Sequence, residues 1–531
     1  MATGSIGATT VHAPSGMVAS ADHLASSAGV AALRAGGNAA DAAVAAGAVL
    51  AVTTQHMCGM GGDLFAMVHV PGEPPAALCA AGRAGSGADA VQVRAEGLDR
   101  LPYTDDVRAV TIPGCVDGWL ALHRRYGRLP IDQVLEAAIT YAATGFPASR
   151  LLALIVARIL EVEGAADYVD PAMAAGGRLP VGTLIRRPGV AAALDAIVAE
   201  GRTGFYRGPF GDGLLDLGAG LFTAEDLDRS QAEWVEPLRV TVWGHDVLVP
   251  PPPSQAYLLL AGAVVAEGLP LPDDPDDPRW PHLLAESARA VGIDRDARLH
   301  EGADGTALLD PERLADRRAA IDPERRADTR ALTRAGGTTV CCAVDRARMG
   351  VTLIQSNASG WGAHLVEPAT GIFLHDRGMG FRLEPGHAAE LAPGRRPPHT
   401  LSPALVTRPD GSLRAVLGTM GGDSQPQILL QVLVRLLVHG ESPARAVSAG
   451  RWSLGAGGFE IWEGDGPGHI ALEEHAPEGW DAGLTARGHD VRRAPDRAYY
   501  PIGHAMVIEA IDGVLAGVAD PRTLDGAASG Y

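Results

Sequence analysis

Thr338 stands directly after a glycine pair, Gly336-Gly337, where a polar stretch of chain gives way to strand-forming residues. A threonine hydroxyl is a poor nucleophile until a base takes its proton. A threonine at a free N-terminus carries that base itself, because its own α-amine has a pKa of about 8. Thr338 is internal, so this chemistry requires the chain to be cut between Gly337 and Thr338. An acyl-transfer nucleophile also needs donors aimed at the oxyanion that develops on the attacked carbonyl. Gly418-Thr419-Met420-Gly421-Gly422-Asp423 falls between a predicted strand and a predicted helix, where unencumbered backbone N–H groups can point at an anion. Taken alone, either motif also fits a plain turn.

The elements that must position these groups are readable in outline. Residues 20–54 predict two helices joined by Gly36-Gly37-Asn38, a C-cap followed by a new N-terminus. Gly59 to Asp63 leads into a buried-strand pattern over Leu64 to Val70. Residues 115–145 and 187–200 predict helices, and Trp234 to Val249 alternates like one strand that Pro250 to Pro253 stops. From Asp273 to Arg334 the chain is rich in Asp, Arg and Pro, which predicts a solvated surface of helices and turns. Thr338 to Asp345 and Val351 to Ser356 predict a hairpin around the turn Arg346 to Gly350. The boundary from a mobile polar segment through Gly-Gly to a strand is where a backbone cut is accessible. Strands at Ala404 to Thr407, Arg414 to Gly418, Ala505 to Ile511 and Val514 to Val518, with a helix from Gln427 to His439, complete a layered α/β or α+β pattern.

Composition excludes several function classes. With 47% apolar and 20% charged residues over 531 positions, the chain suits a soluble globular protein with a large core. A net charge of −19 argues against nucleic acid or an anionic membrane as the main partner. The sequence contains no lysine, which removes P-loop, pyridoxal-phosphate, kinase-type and S-x-x-K chemistry. No H-E-x-x-H motif and no Cys/His cluster suggests a metal, so no cofactor is expected. The N-terminus lacks the pattern of a signal peptide, and the Ala-rich stretch Asn38 to Thr54 carries Asp41, as a buried core helix would. Five cysteines without a regular framework fit a reduced, cytoplasmic protein. Cys341 and Cys342, adjacent on a predicted strand, should point to opposite faces.

Ten segments, in order, resemble the gamma-glutamyltranspeptidase family from near residue 17 to the last residue. They are SADHLASSAGVAALRAGGNAADAAVAA, MCGMGGDLFAM, TIPGCVDGWLAL, FYRGPFGDGL, VPPPPSQAYLLL, TTVCCAVD, IQSNASGWG, RPPHTLSPALV, GTMGGDSQPQ and ADPRTLDGAASGY. The resemblance implies an α+β fold of the Ntn-hydrolase type, an αββα four-layer sandwich. It implies autoproteolysis into a large fragment, residues 1–337, and a small fragment, residues 338–531, which stay associated. By position it implies Thr338 as nucleophile, Asn357 as a substrate-contacting asparagine and Gly421 with Gly422 as the oxyanion pair. Arg83 matches the arginine that grips a substrate carboxylate, a task suited to its bidentate fork.

The departures from the family pattern bear on the substrate. Gln355 stands where a second threonine supports the nucleophile, and His399-Thr400 replace a pair of serines. Gly380 replaces the acid that holds a glutamyl α-amine, and Arg377 replaces a glutamine. Losing an anion and gaining a cation should weaken recognition of an ammonium group and favour a carboxylate. Gln355, Arg377, His399, Thr400 and Asp423 are therefore candidate substrate contacts beside Arg83. These features resemble the branch of the family that includes oxamate amidohydrolase. The leading expectation is a self-processing threonine hydrolase that cleaves an amide, or a related acyl bond, in a small acidic molecule. The alternatives are a γ-glutamyl hydrolase or transpeptidase, a C–C hydrolase releasing an oxalyl group, and an uncleaved inactive binding protein. His56 is expected to be structural.

Overall fold

The computed structural model describes residues 6–168, 179–327, 337–455, 468–494 and 502–531. The stretch that the sequence places immediately before the cut, residues 328–336 with Gly336, lies outside the described residues.

Two seven-stranded sheets form the centre. The first runs, in spatial order, Ala527–Gly530, Met17–Ser20, Gly337–Val344, Gly350–Ala358, Asp63–His69, Ala76–Ala80 and Glu233–Val235. The second runs Val11–Ala13, Val514–Ala519, Ala505–Ile511, Leu413–Thr419, Ala404–Thr407, His245–Val249 and Leu238–Val242. The expected hairpin of Gly337–Val344 with Gly350–Ala358 sits in the middle of the first sheet, between Met17–Ser20 and Asp63–His69. The sheets pack face to face: a Cβ at Gly418 would touch Val340, Ile354 and Thr352, and one at Gly350 would touch Leu413 and Val416. The period-two rule puts the Cys341 thiol against Ala43 O on one side and the Cys342 thiol against Met506 O on the other.

Helices cover the other face of each sheet. His23–Arg34 and Ala39–Thr53 meet where Asn38 caps the second helix and Asp41 returns the bond to the Asn38 N–H. Every residue from Ala39 to Thr53 is buried, which explains the alanines. Small side chains let the helix lie close to the sheet, and at Gly47 a Cβ would come within 3.1 Å of Gln355 Oε1. Tyr257–Glu267, Gln425–Leu437 and Pro443–Ser448 pack on the second sheet around Val247, Leu259, Leu429 and Val507.

Two expectations are corrected. The segment Trp234 to Val249 is three strands, because Pro237 breaks the ladder and moves the chain from the first sheet to the second. Trp243, at φ +48, and Gly244, at φ +72, then turn the hairpin between Leu238–Val242 and His245–Val249. The acidic, Arg-rich stretch after Asp273 is not all solvated surface. Its helix Arg279–Gly292 buries Trp280, Leu283 and Leu284, and it also buries a charged pair, Arg289 Nε to Glu286 Oε1 at 3.1 Å. Charge density alone does not say which charges find partners inside.

The burial of neutral imidazoles makes the fold acid-sensitive. Burial pushes His56, His399 and His489 down to about 3 and His504 down to about 4. In the unfolded chain these rings protonate near ~6.5. Below that pH the unfolded state binds more protons, so the stability they contribute is complete above about pH 6.5 and is lost as pH falls towards about 3. Urea midpoints measured from pH 7 to pH 4 should fall steadily, and His489→Gln should reduce the proton uptake on unfolding by about one.

Candidate active site

Thr338 sits opposite a β-bulge. Gly337 pairs with Ala358 and Thr339 with Gln355, so Ser356 and Asn357 of the partner strand together oppose the single residue Thr338. It is buried, and its Oγ1 lies 3.0 Å from Ser356 Oγ. The Ser356 hydroxyl also accepts the N–H of Ala358 at 2.9 Å, where the backbone turns through φ +69. Next along the strand, Asn357 donates from Nδ2 to Gln55 O at 3.0 Å, while its Oδ1 is buried with no partner among the described residues.

The Gln355 side chain is engaged on the helix side of the sheet, away from Thr338. One residue away from Ser356, it faces the opposite side of the sheet, donating to Gly47 O at 2.8 Å and accepting from Trp119 Nε1 at 3.0 Å. The hydroxyl beside Thr338 is thus supplied by Ser356, which sequence reasoning missed. The signal was the register of Ile-Gln-Ser-Asn, since only alternate residues can share a face with Thr338.

The predicted oxyanion loop comes to the same end of the sandwich. Gly418 lies against Val340, so Leu413–Thr419 delivers Met420, Gly421 and Gly422 next to the start of Gly337–Val344. Gly421, at φ +139, and Gly422, at φ +56, adopt backbone that side chains disfavour. Thr419 Oγ1 donates to Met420 O at 2.7 Å and Ser424 Oγ to Gly421 O at 2.7 Å. In a trans peptide the N–H points opposite to the C=O, so these bonds fix the directions of the Gly421 and Gly422 amides.

A cavity of about 240 Å³ is lined by Arg377, Gly380, Phe381, Thr400, Asp423 and Arg295, among others. It is tied to Gly350–Ala358, the strand paired with that of Thr338, because Asp376 N–H donates to Asn357 O at 3.3 Å, and Arg377 follows immediately. Arg377 is buried, and its side chain has no hydrogen-bond or ion-pair partner among the described residues; its Nε is wholly enclosed. Burial pulls its pKa below the ordinary guanidinium value, with the carboxylates of Asp63, Asp376 and Asp423 working against that. Thr400 Oγ1 is also buried without a partner among the described residues.

Arg83 and His399 are placed otherwise than expected. Arg83 does not line the cavity: its Nη1 is held by Glu301 Oε1 at 2.5 Å and by Gly394 O at 3.1 Å. Glu301 belongs to the acidic segment that the sequence assigned to surface. His399 is fully buried with Nε2 3.2 Å from Asp63 Oδ2, behind the cavity wall. Burial would raise the Asp63 carboxyl, but His375, His399 and the Gly82 amide outweigh it and hold it below the usual range. Burial and then Arg377 keep His399 neutral, so it serves as a donor to Asp63.

Three potential metal donors lie together, in His282, Glu286 and His489. They are already engaged: His282 Nδ1 meets His489 Nε2 at 2.8 Å, Glu286 holds Arg289 and Ala327 N–H, and Arg289, Arg326 and Arg487 bear on His489. So much positive charge disfavours a cation. His56, expected to be structural, stays neutral under burial and has no partner on either ring nitrogen among the described residues.

The family model described as gamma-glutamyltranspeptidase matches residues 25–531. The oxamate amidohydrolase proenzyme of Klebsiella pneumoniae is 34% identical, covering 97% of this chain and 98% of its own length. The glutathione hydrolase-like YwrD proenzyme of Bacillus subtilis is 33% identical over the same shares. The crystal structure of cephalosporin acylase from Bacillus halodurans superposes with a TM-score of 0.88 at 31% identity, over 98% of this chain and 97% of that one.

The contact between Thr338 and Ser356 gives a direct check. Ser356→Ala should lower the rate of acyl transfer by about 10²-fold, and Ser356→Thr should restore most of it, read as kcat on correctly folded protein.

Proposed function

The chain belongs to the gamma-glutamyltranspeptidase family of Ntn hydrolases, and on that footing we propose that it cuts itself between Gly337 and Thr338 and hydrolyses an amide, or a related acyl bond, in a small carboxylate-bearing molecule. An oxamate-like amide is the leading candidate substrate. The observation that carries the reading is Arg377, a buried guanidinium with no hydrogen-bond or ion-pair partner among the described residues, on the wall of a cavity of about 240 Å³. Asp63, Asp376 and Asp423 offset its charge but do not hydrogen-bond to it, and a substrate carboxylate gripped bidentately would satisfy the open N–H donors. The carboxylate-binding role therefore moves from Arg83, which Glu301 occupies, to Arg377 with Thr400 beside it. The cavity is smaller than the ~300–1,000 Å³ of common ligand sites, which suits a small substrate.

In this mechanism the α-amine of Thr338 takes the Oγ1 proton as the oxygen bonds to the substrate carbonyl carbon. The oxyanion is received by the Gly421 and Gly422 amides. The C–N bond breaks, the leaving amine takes the proton, and water then splits the acyl-enzyme by the same route in reverse. In the same proposal Asn357, on the strand paired with that of Thr338, accepts from the new ammonium through its buried Oδ1, which has no partner among the described residues.

The two fragments make one αββα unit in this reading. Its support is the strand order: residues 338–531 contribute strands that pair with strands of residues 1–337 in both sheets, so a cut leaves the cores interleaved. Two relatives are named as proenzymes, which accords with processing. A cytoplasmic location is part of the proposal, because all five cysteines are buried and free. No helix among the described residues is long and apolar enough to cross a membrane.

Denaturing gels and intact mass should show fragments of 337 and 194 residues, the latter being 531 less 337. Thr338→Ala should abolish both cleavage and turnover, whereas Thr339→Ala should still cleave; a single full-length chain in an active preparation would sink the mechanism. A screen of the processed enzyme against oxamate-like, γ-glutamyl and oxalyl compounds then chooses the substrate, and γ-glutamyl turnover without oxamate turnover would overturn the leading candidate. Arg377→Met should lower kcat/KM by about 10- to 100-fold. Arg83→Gln should change KM by less than about threefold while lowering Tm, because Arg83 is tied to Glu301.

A further inference from the structure

Arg295 lies in the segment that the sequence marked as surface, yet it is buried and reaches the reactive centre. Its Nε donates to Gln255 Oε1 at 3.0 Å and its Nη2 to Asp423 Oδ1 at 2.7 Å. A guanidinium has no acceptor, so the Gln255 atom beside it is the oxygen. The Gln255 Nε2 must then face the other way, and it donates to Gly422 O at 3.0 Å and to Thr400 O at 3.2 Å. The Gln255 N–H donates in addition to His399 O at 2.8 Å.

These bonds connect three segments, adding to the Ser254–His399 bridge and the bond from Ser402 N–H to Gln425 Oε1. The Gly422 carbonyl fixes the peptide plane that follows the oxyanion pair. Thr400 and Asp423 belong to the cavity wall. Gln255 and Arg295 come from residues 1–337, and the groups they hold come from residues 338–531. Met420 O and Gly421 O are pinned from within their own loop, by Thr419 and Ser424, whereas Gly422 O accepts both from Gln425 N–H of its own loop and from the Gln255 side chain of the other fragment.

We propose that Arg295 and Gln255 are positioning residues: a strut from the large fragment that fixes the Gly422 peptide and the Thr400–Asp423 wall together, so that the carbonyl of a bound acid lies under the oxyanion donors. The idea rests on the hydrolase reading above. The strut acts on the geometry of the transition state more than on substrate affinity, since neither residue is assigned to grip the carboxylate. A displaced oxyanion donor typically costs catalysis far more than binding.

The test uses cleaved wild-type enzyme and two variants, Arg295→Lys and Gln255→Met. Lysine keeps the charge but cannot hold Gln255 and Asp423 in one fork, and methionine keeps volume while removing both donors. Active sites are titrated by acylation of Thr338, and kcat per titrated site, KM and Tm are measured with the substrate that the wild type turns over best. Both variants are expected to lose about 10- to 100-fold in kcat per site while KM stays within about threefold. Wild-type turnover with kcat per site unchanged in either variant overturns the strut and leaves the hydrolase reading standing. So does a loss confined to the titrated fraction and Tm, which is what a purely structural role gives. A processed wild type that turns over no acyl substrate overturns the hydrolase reading, and the strut with it.

Discussion

The reactive centre depends on the antiparallel pairing of Gly337–Val344 with Gly350–Ala358 in the middle of the first sheet. That pairing sets Thr338 at the strand start opposite a bulge formed by Ser356 and Asn357, puts Ser356 on its face and turns Gln355 away. It also brings Leu413–Thr419 of the second sheet over Val340 and Ile354, which delivers the Gly421–Gly422 turn. A slip of one residue would exchange Ser356 for Gln355 beside Thr338 and put a long amide where a hydroxyl is needed. Register is held against such a slip because both flanks are occupied, by Met17–Ser20 and Asp63–His69, and both faces are buried.

Buried charge organises what surrounds this hairpin. Asp63 gathers the amides of Gly82 and Gly114 and the ring of His399 behind the cavity. Arg83 meets Glu301, and Arg295 meets Asp423 and Gln255. Each of these cations has a protein acceptor. Arg377 has none among the described residues, although it is as deeply buried as the others. That contrast, more than the count of arginines near the cavity, distinguishes a structural guanidinium from one available to a ligand.

The sequence read the periodic elements well where one physical rule decided them. The helix pair around Asn38, the hairpin after Gly337 and the strand–turn–helix at Gly418 all emerge close to their expected bounds. It misread Trp234 to Val249 because alternation continues through Pro237 although the ladder cannot. It misread the acidic segment because composition averages over Arg295, Glu301 and their exposed neighbours, and only tertiary partners separate them.

Sequence by itself determined the chemistry available: a threonine after Gly-Gly, a glycine pair after a strand, an arginine where the family has a glutamine, and no lysine anywhere. These are statements about residue type and local order, which the chain carries in one dimension. The tertiary structure decided which candidates act together. It set Ser356 rather than Gln355 beside Thr338, closed Arg83 with Glu301, drew His399 back onto Asp63 and left Arg377 facing the cavity. The reason is physical: a guanidinium or an amide has the same sequence signature whether or not a carboxylate from 200 residues away satisfies it, as Glu301 does for Arg83 at a separation of 218 residues.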